Sequence, residues 1–588
     1  MNEKGRSLFS RITIPGLVCL ILVIVGPAVF DMYMLNTMIK AFFFAIAAIT
    51  VDILWGYTGC LTFGQSAFFG LGAYAAGLVF THLGFSPAYV ALALALAVAG
   101  SALVGLFTGW ISFYRGASSF FACIISLVLP IVLNQLILSG GSFTGSSSGL
   151  TGFDTFEFEM EQWYWIAGGL MMVCGFLASV FLSSDAGRIL VSIRDNESRC
   201  AYLGLNPSAI KICLLGVCAA MAGLAGFGYG AFSGVVAPEL TGFSFGTEMI
   251  IWVALSGRGT FWGPMLGTLV ITVATAYLSS AMPFVWQLLL GLSFVLVIIF
   301  LPQGLIPLLS RPFAGRRSFV PALESREVEA LERHADEPVL EMTHVERRYG
   351  SLSVLKDVTF TGRPGELIGI IGPNGAGKTT LMRCMSDGKE RTGGTIKLCG
   401  HDIVRQHPQA CVRFGLGRKF QNANIFESLT VAECLRMARS VLERPSLFHR
   451  DKVIHLPPYA LEVVRVTGLE SKLGTVARDL SHGEQQDLEL AMVLALEPRI
   501  ILLDEPTAGL TRAERISIGQ VFSSLAHKYG LCCLLVEHDL DFVKEIATRI
   551  VVLHQGTIVV QGSAEEVVNS ELVQTIYAGP SRKDEEVA

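Results

Sequence analysis

The chain has 588 residues, of which 52 % are hydrophobic and only 16 % charged, and its formal charge is −5. A mean hydropathy of +0.54 excludes an ordinary soluble globular protein, and the length exceeds what one hydrophobic core serves. The charge gives no reason to expect nucleic acid as a partner.

The apolar excess is one-sided. Between Arg11 and Ser184 the only lysine and arginine are Lys40 and Arg115, whereas beyond Arg311 charges come every few residues. This asymmetry predicts a membrane domain followed by a soluble one. The thirteen cysteines form no CxxC pairs or Cys/His clusters, and Cys19, Cys60, Cys123, Cys174, Cys213 and Cys218 fall in apolar stretches. They read as free thiols, buried or facing lipid. Cys532 and Cys533, expected in a reducing cytosol, need no bridge.

A helix needs about 20 apolar residues to cross a bilayer. Candidate spans run over 12–30, 38–57, 62–82, 88–109, 118–138, 162–183, 211–233, 247–257, 262–281 and 284–302. The eighth is too short to cross alone and reads as broken or re-entrant, which requires protein or a cavity around its backbone. The first reads as a span rather than a cleaved signal peptide, because it is long for such a segment and no A-x-A site follows.

Positive charge orients the spans. Lys4, Arg6 and Arg11 place the N-terminus inside. Five crossings then put 139–161 outside, where Asp154, Glu157, Glu159 and Glu161 occur without lysine or arginine. A sixth returns 184–210 to the inside with Arg188, Arg194 and Arg199, and four more leave the C-terminal half inside. Within the spans, DILWGYTGCLTFGQSAFFGLGAYA from Asp52 is glycine-rich, with Gly59, Gly64, Gln65 and Gly70 as candidates for the lining of a polar path. Small residues there permit either close helix packing or a locally unwound backbone. Residues 311–338 are charged and contain prolines; they read as a linker on the inner surface, with a short helix at 323–333.

In the soluble half, the apolar run Leu367–Ile371 reads as a buried strand followed by GPNGAGKTT and a helical pattern. G-x-x-x-x-G-K-S/T in a strand–loop–helix context is a P-loop. Gly372, Asn374, Gly375, Ala376, Gly377, Lys378, Thr379 and Thr380 would wrap the phosphates of ATP, and the Thr379 hydroxyl would ligate Mg²⁺. About 130 residues on, a second apolar run ends in Asp504 and Glu505. The first of these carboxylates is placed to hold Mg²⁺ and the second to act as general base on water.

Over 340–579 these motifs resemble the ABC transporter ATPases. The resemblance implies further roles. LSHGE, from Leu480, looks like the family's signature, with Ser481 and Gly483 reaching ATP bound by the opposite ATPase subunit; His482 and Glu484 depart from its commonest form. Gln421 matches the Q-loop glutamine that senses Mg²⁺, His538 the switch histidine, and Tyr349 the aromatic stacked on adenine. Thr511 stands where many members carry aspartate. Because each site is completed by a partner's signature, the chain requires a second ATPase subunit or a second copy of itself.

Over 39–305 the chain resembles the permeases of the branched-chain amino-acid ABC transporters. The glycine-rich stretch carries this likeness, together with GRILVSIRDNE from Gly187 through Gly204, and SGRGT from Ser256. Residues 188–210, with Glu197 and Gly204, resemble the coupling loop that docks on the ATPase near its Q-loop. The fold expected is a polytopic α-helical membrane domain of about ten helices, some broken (1–310), a cytoplasmic linker (311–338) and a C-terminal α/β P-loop NTPase domain of ABC type with a helical subdomain (339–588). The resemblance implies an importer of branched-chain or related amino acids in the inner membrane of a bacterium, lipid around its permease and its ATPase in the cytoplasm. It also implies a second permease subunit and an extracytoplasmic binding protein. Urea or short-chain amides are an alternative cargo, and an ATP-driven exporter or a nucleotide-gated channel are competing classes.

Overall fold

The computed structural model describes residues 14–114, 119–283, 285–301, 304–306, 320–326, 337–507 and 512–573. They divide into two compact units. The first comprises Met1–Arg194, Pro207–Arg317 and Leu447–His449; the second comprises Asp195–Asn206, Ser318–Ser446 and Arg450–Ala588.

The first unit is helical. Apolar helices run over Ile14–Val29, Met32–Asp52, Gln65–His82, Pro87–Ala95 continuing into Ser101–Phe113, Ser119–Ser139, Met160–Leu182, Pro207–Ser233, Phe243–Ser256, Trp262–Ala281 and Trp286–Phe300. Six of the described segments are long and apolar enough to cross a membrane. Met32–Tyr57 is central, with 83 % of its apolar window buried, whereas Pro87–Phe113 and Phe120–Ser139 have only 22 % buried and form the rim. Leu103, Phe107, Phe120, Leu136 and Leu177 point outward from such helices, the arrangement that lipid rather than water tolerates.

Several helices are broken, as expected. A wider π-turn ends the helix from Met32 at Ile53–Tyr57, and another interrupts Pro87–Phe113 at Leu96–Gly100. Phe243–Ser256 has 14 residues, about 21 Å of rise against roughly 30 Å of hydrocarbon. Most of it is buried against other helices, so its exposed-backbone problem is solved by protein.

Close approach of two helices explains part of the glycine content. A Cβ on Gly226 would lie 1.8 Å from the Phe69 carbonyl oxygen, and one on Gly72 would lie 1.9 Å from that of Gly223. Gln65–His82 and Pro207–Ser233 therefore pack backbone to backbone.

The second unit is built on a six-stranded sheet of order 557–562, 549–554, 367–371, 532–536, 500–504, 416–419. It is parallel except for the edge pair Arg549–His554 and Thr557–Gly562. Leu367–Ile371, Ile500–Asp504 and Cys532–Val536 are buried along their whole length, as uninterrupted apolar runs covered on both faces require. An antiparallel sheet of Leu352–Gly362, Leu340–Tyr349, Gly393–Leu398 and His401–Asp402 packs beside it. The helices Val431–Arg439, Pro458–Val466 and His482–Leu494 form a helical part. The helix expected at 323–333 is instead a strand where it is described: Ala322–Ser325 pairs in parallel with Val453–Leu456. That cross-strand ladder, invisible in the local sequence, overrides the helical pattern. The thirteen cysteines are all unbridged.

Candidate functional site

The sheet register gathers the chemistry at one edge. Ile370 lies opposite Val536, and Val536 opposite Asp504; Leu503 lies opposite Lys419. Because all four strands run in parallel, the residues just beyond them emerge together at their carboxyl ends, where ligands bind in open α/β sheets.

From the first strand the chain turns through Gly372 at φ +156° and Gly377 at φ +104° into the helix Lys378–Ser386. A Cβ on Gly372 would fall 2.0 Å from the Leu553 carbonyl oxygen, so glycine is required there. Lys378 donates to the carbonyls of Gly372 (2.6 Å) and Pro373 (3.2 Å), which fixes its ammonium inside the loop.

Asp504 ends its strand nearly buried, 3.6 Å from the Arg418 guanidinium. Burial lifts its carboxyl above the usual carboxylate range, and Arg418 opposes the shift. Glu505 follows at φ +47°, a left-handed conformation that a glutamate holds only under constraint. Its two oxygens are divided between partners: Gln421 Nε2 donates to one at 2.7 Å, and His538 Nε2 lies 2.8 Å from the other. Gln421, Glu505 and His538 thus form one cluster, which can orient a water molecule and take up a proton. Beside it, Thr507 donates its N–H and hydroxyl to the buried Glu537. Thr511 lies outside the described residues.

Ser481 and Tyr349 bond elsewhere. Ser481 is exposed and caps the helix His482–Leu494: its hydroxyl accepts from the Glu484 N–H while the Glu484 carboxylate accepts from the Ser481 N–H. Glu484 also pairs with Lys472. Its departure from the commonest signature is therefore a capping box reinforced by an ion pair. Gly483 follows in the first turn. Tyr349 is exposed, with the Arg347 guanidinium 4.2 Å from its ring centroid.

The segment Asp195–Asn206 belongs to the ATP-loop unit. Asn196 caps the short helix Glu197–Tyr202 by accepting from the Arg199 N–H at 2.9 Å. Ser428 donates to Asp195 through its N–H (2.9 Å) and hydroxyl. Tyr202 meets Phe420 edge to face at 4.9 Å. Gly204 takes φ +86° and faces Val412 and Val441. Glu197 itself is only half-buried; the side chain that penetrates is Arg199. Sequence reading passed over Arg199 as one more positive charge. The signal was its counterpart, Glu489, a lone carboxylate inside the apolar run LELAMVL.

In the helical unit, Gln65 is buried and accepts from the Thr50 hydroxyl at 3.0 Å. Gly70 abuts Thr241, Gly64 has ordinary contacts, and Gly59 turns the chain at φ +74° beside Arg194. Two further polar residues, named from the sequence only as part of a motif and of a basic cluster, make contacts that the sequence did not reveal. Asp52 accepts from the Gly259 N–H at 2.6 Å, and Arg194 donates to the Gly56 carbonyl at 2.8 Å. Together they tie the π-turn at 53–57 to its neighbours. Among the described residues no group of three or more His, Cys, Asp or Glu could hold a metal ion.

Known proteins resemble the two halves of the chain separately. Residues 33–301 match the family described as branched-chain amino acid transport system / permease component. Residues 355–508 match the ABC transporter family. The high-affinity branched-chain amino acid transport ATP-binding protein LivG of Salmonella typhimurium is 33 % identical over 252 residues, 41 % of this chain and 98 % of LivG. The methionine import ATP-binding protein MetN of Protochlamydia amoebophila is 34 % identical over 219 residues, 37 % of this chain and 62 % of MetN. Among solved structures, the ATP-binding cassette MJ1267 in its ADP conformation aligns with a TM-score of 0.36 and 25 % identity, covering 41 % of this chain and 99 % of that one.

Proposed function

Because the chain belongs to the ABC transporters, joining a branched-chain amino acid type permease component to an ATP-binding component, we propose that it imports branched-chain or related amino acids. ATP hydrolysis drives the import across the inner membrane of a bacterium, with the ATPase half in the cytoplasm. The observation that carries this reading is that both halves, compared separately, point to one transport system.

In this reading Lys378 and the loop from Gly372 to Thr380 hold the phosphates of ATP, and Tyr349 stacks on the base. Glu505 accepts the proton of the attacking water, and His538 and Gln421 keep its carboxylate aimed. The oxygen donors Thr379, Asp504 and Gln421 suit Mg²⁺, a hard cation; when bound, the ion supplies charge neutralisation at the phosphates. Ser481, exposed, and Gly483, half-buried in the same turn, complete the site of a second ATPase subunit, either another chain or a second copy. A second permease subunit and an extracytoplasmic binding protein fill the remaining roles of such an importer. In the permease half, Gln65 with Thr50 offers polar groups to a passing substrate, while Gly59, Gly64 and Gly70 shape the backbone around them. Glu197 and Gly204 belong to the coupling segment.

The test is uptake of radiolabelled leucine in a strain lacking the chain and in the same strain complemented. Isoleucine and valine are expected to compete and urea to have no effect. Competition by urea alone, or ATP-dependent efflux, overturns the reading.

A further inference from the structure

The segment Asp195–Asn206 is continuous in sequence with the helices Asp185–Asp195 and Pro207–Ser233, yet its own contacts are with the ATPase unit. One side chain dominates them. Arg199 is fully buried and lies 3.3 Å from the equally buried Glu489 carboxylate. It also donates to the backbone carbonyls of Arg418 (3.2 Å) and Glu489 (3.4 Å). Arg418 lies on the strand that leads into Gln421, and Glu489 lies on the helix that begins at the exposed Ser481.

From that point two routes run onward. The Glu489 carboxylate accepts from the Phe420 N–H at 3.2 Å, next to Gln421. Gln486, one turn earlier on the same helix, donates to the Gln421 carbonyl at 3.0 Å and accepts from Lys419. Gln421 in turn holds Glu505. The other route is the helix itself, a rigid rod from Glu489 to Ser481.

A buried ion pair is a poor device for stability alone, because desolvation offsets most of its attraction and apolar side chains of similar volume often serve as well. This one also leaves Arg199 Nε and one Glu489 oxygen without hydrogen-bond partners. What such a pair supplies is a defined register between the pieces it joins.

Resting on the transporter reading above, we propose that Arg199 is the positioning residue through which the coupling segment moves the Gln421 strand and the Ser481 helix together. A single side chain would then set both the chain's own catalytic carboxylate, through Gln421, and the partner's ATP site, through Ser481.

The test replaces the pair by apolar groups, Arg199→Met with Glu489→Leu, in the full chain reconstituted in lipid with its co-purifying subunits. Amide hydrogen exchange across 195–206 is followed with and without ATP, alongside cargo moved per ATP hydrolysed. The expected result is that the ATP-induced change in exchange, present in the wild type, disappears. ATP hydrolysis continues at a reduced rate, because Gln421 and Glu505 lose their common register, and cargo per ATP falls about tenfold, the scale of an ordinary coupling energy between sites. Wild-type behaviour of the double variant, or a wild type with no ATP-induced change, overturns the proposal and leaves Arg199 an anchor.

Should the double variant fail to assemble, Arg199→Lys is read the same way. It keeps the charge but loses the planar fork, so loss of the ATP-induced change supports the proposal and its retention overturns it. The exchange readout needs no knowledge of cargo. A wild type that moves no amino acid sinks the import reading, while the exchange result still decides the role of Arg199.

Discussion

A chain carrying Glu505→Gln is expected to bind ATP normally and to hydrolyse it about 10² to 10⁴-fold more slowly, the span that loss of a general base covers. The substitution keeps the volume and removes only the charge and proton affinity that this role requires. The amide can still meet Gln421 and His538, which bracket the carboxylate at 2.7 and 2.8 Å, so the cluster remains in place. Retained γ-labelled ATP after rapid filtration, together with loss of uptake, is the measurement. Turnover at the wild-type rate would show that another group activates the water.

The second large effect is structural. Gly226→Ala is expected to abolish accumulation of the folded chain in the membrane fraction. Glycine to alanine inside a helix ordinarily helps by about 1 kcal/mol. Here the added carbon would sit 1.8 Å from the Phe69 carbonyl oxygen and 2.7 Å from its carbon, both backbone atoms of a neighbouring helix. Relief requires separating two helices along their length, at a cost of about 3 kcal/mol or more, so the clash outweighs the propensity. Gly169→Ala, where no atom lies within 4 Å, is the matched control and should accumulate normally. Equal accumulation of the two variants refutes the backbone-to-backbone contact.

Much of this organisation was legible in the sequence because it rests on local signals. Ten apolar stretches announced ten helices, and the shortness of 247–257 announced the 14-residue helix Phe243–Ser256. The run before Gly372 announced a buried strand because five apolar residues bounded by a glycine loop leave little else. Partnerships between distant residues were not legible. The strand Ala322–Ser325 owes its form to Val453–Leu456, and no window around Leu323 contains that information. Arg199 and Glu489 each looked ordinary or slightly odd alone; their meaning lies in being brought together. The glycine-rich stretch from Asp52 illustrates a third case, in which one composition serves packing at Gly72, a turn at Gly59 and a buried polar contact at Gln65.

The burial of Arg199 against Glu489 also sets an order on the chain's birth. The two residues are 290 positions apart, and at ribosomal rates of about 5 to 20 residues per second the arginine waits on the order of 15 to 60 seconds for its counter-ion. During that interval the helices from Pro207 to Phe300 are completed, while the surface that will receive the segment does not yet exist. An ATPase half produced alone, from residue 339 onward, would lack the segment altogether and leave the Glu489 carboxylate without its arginine. In this chain the last-made half is completed by a piece of the first.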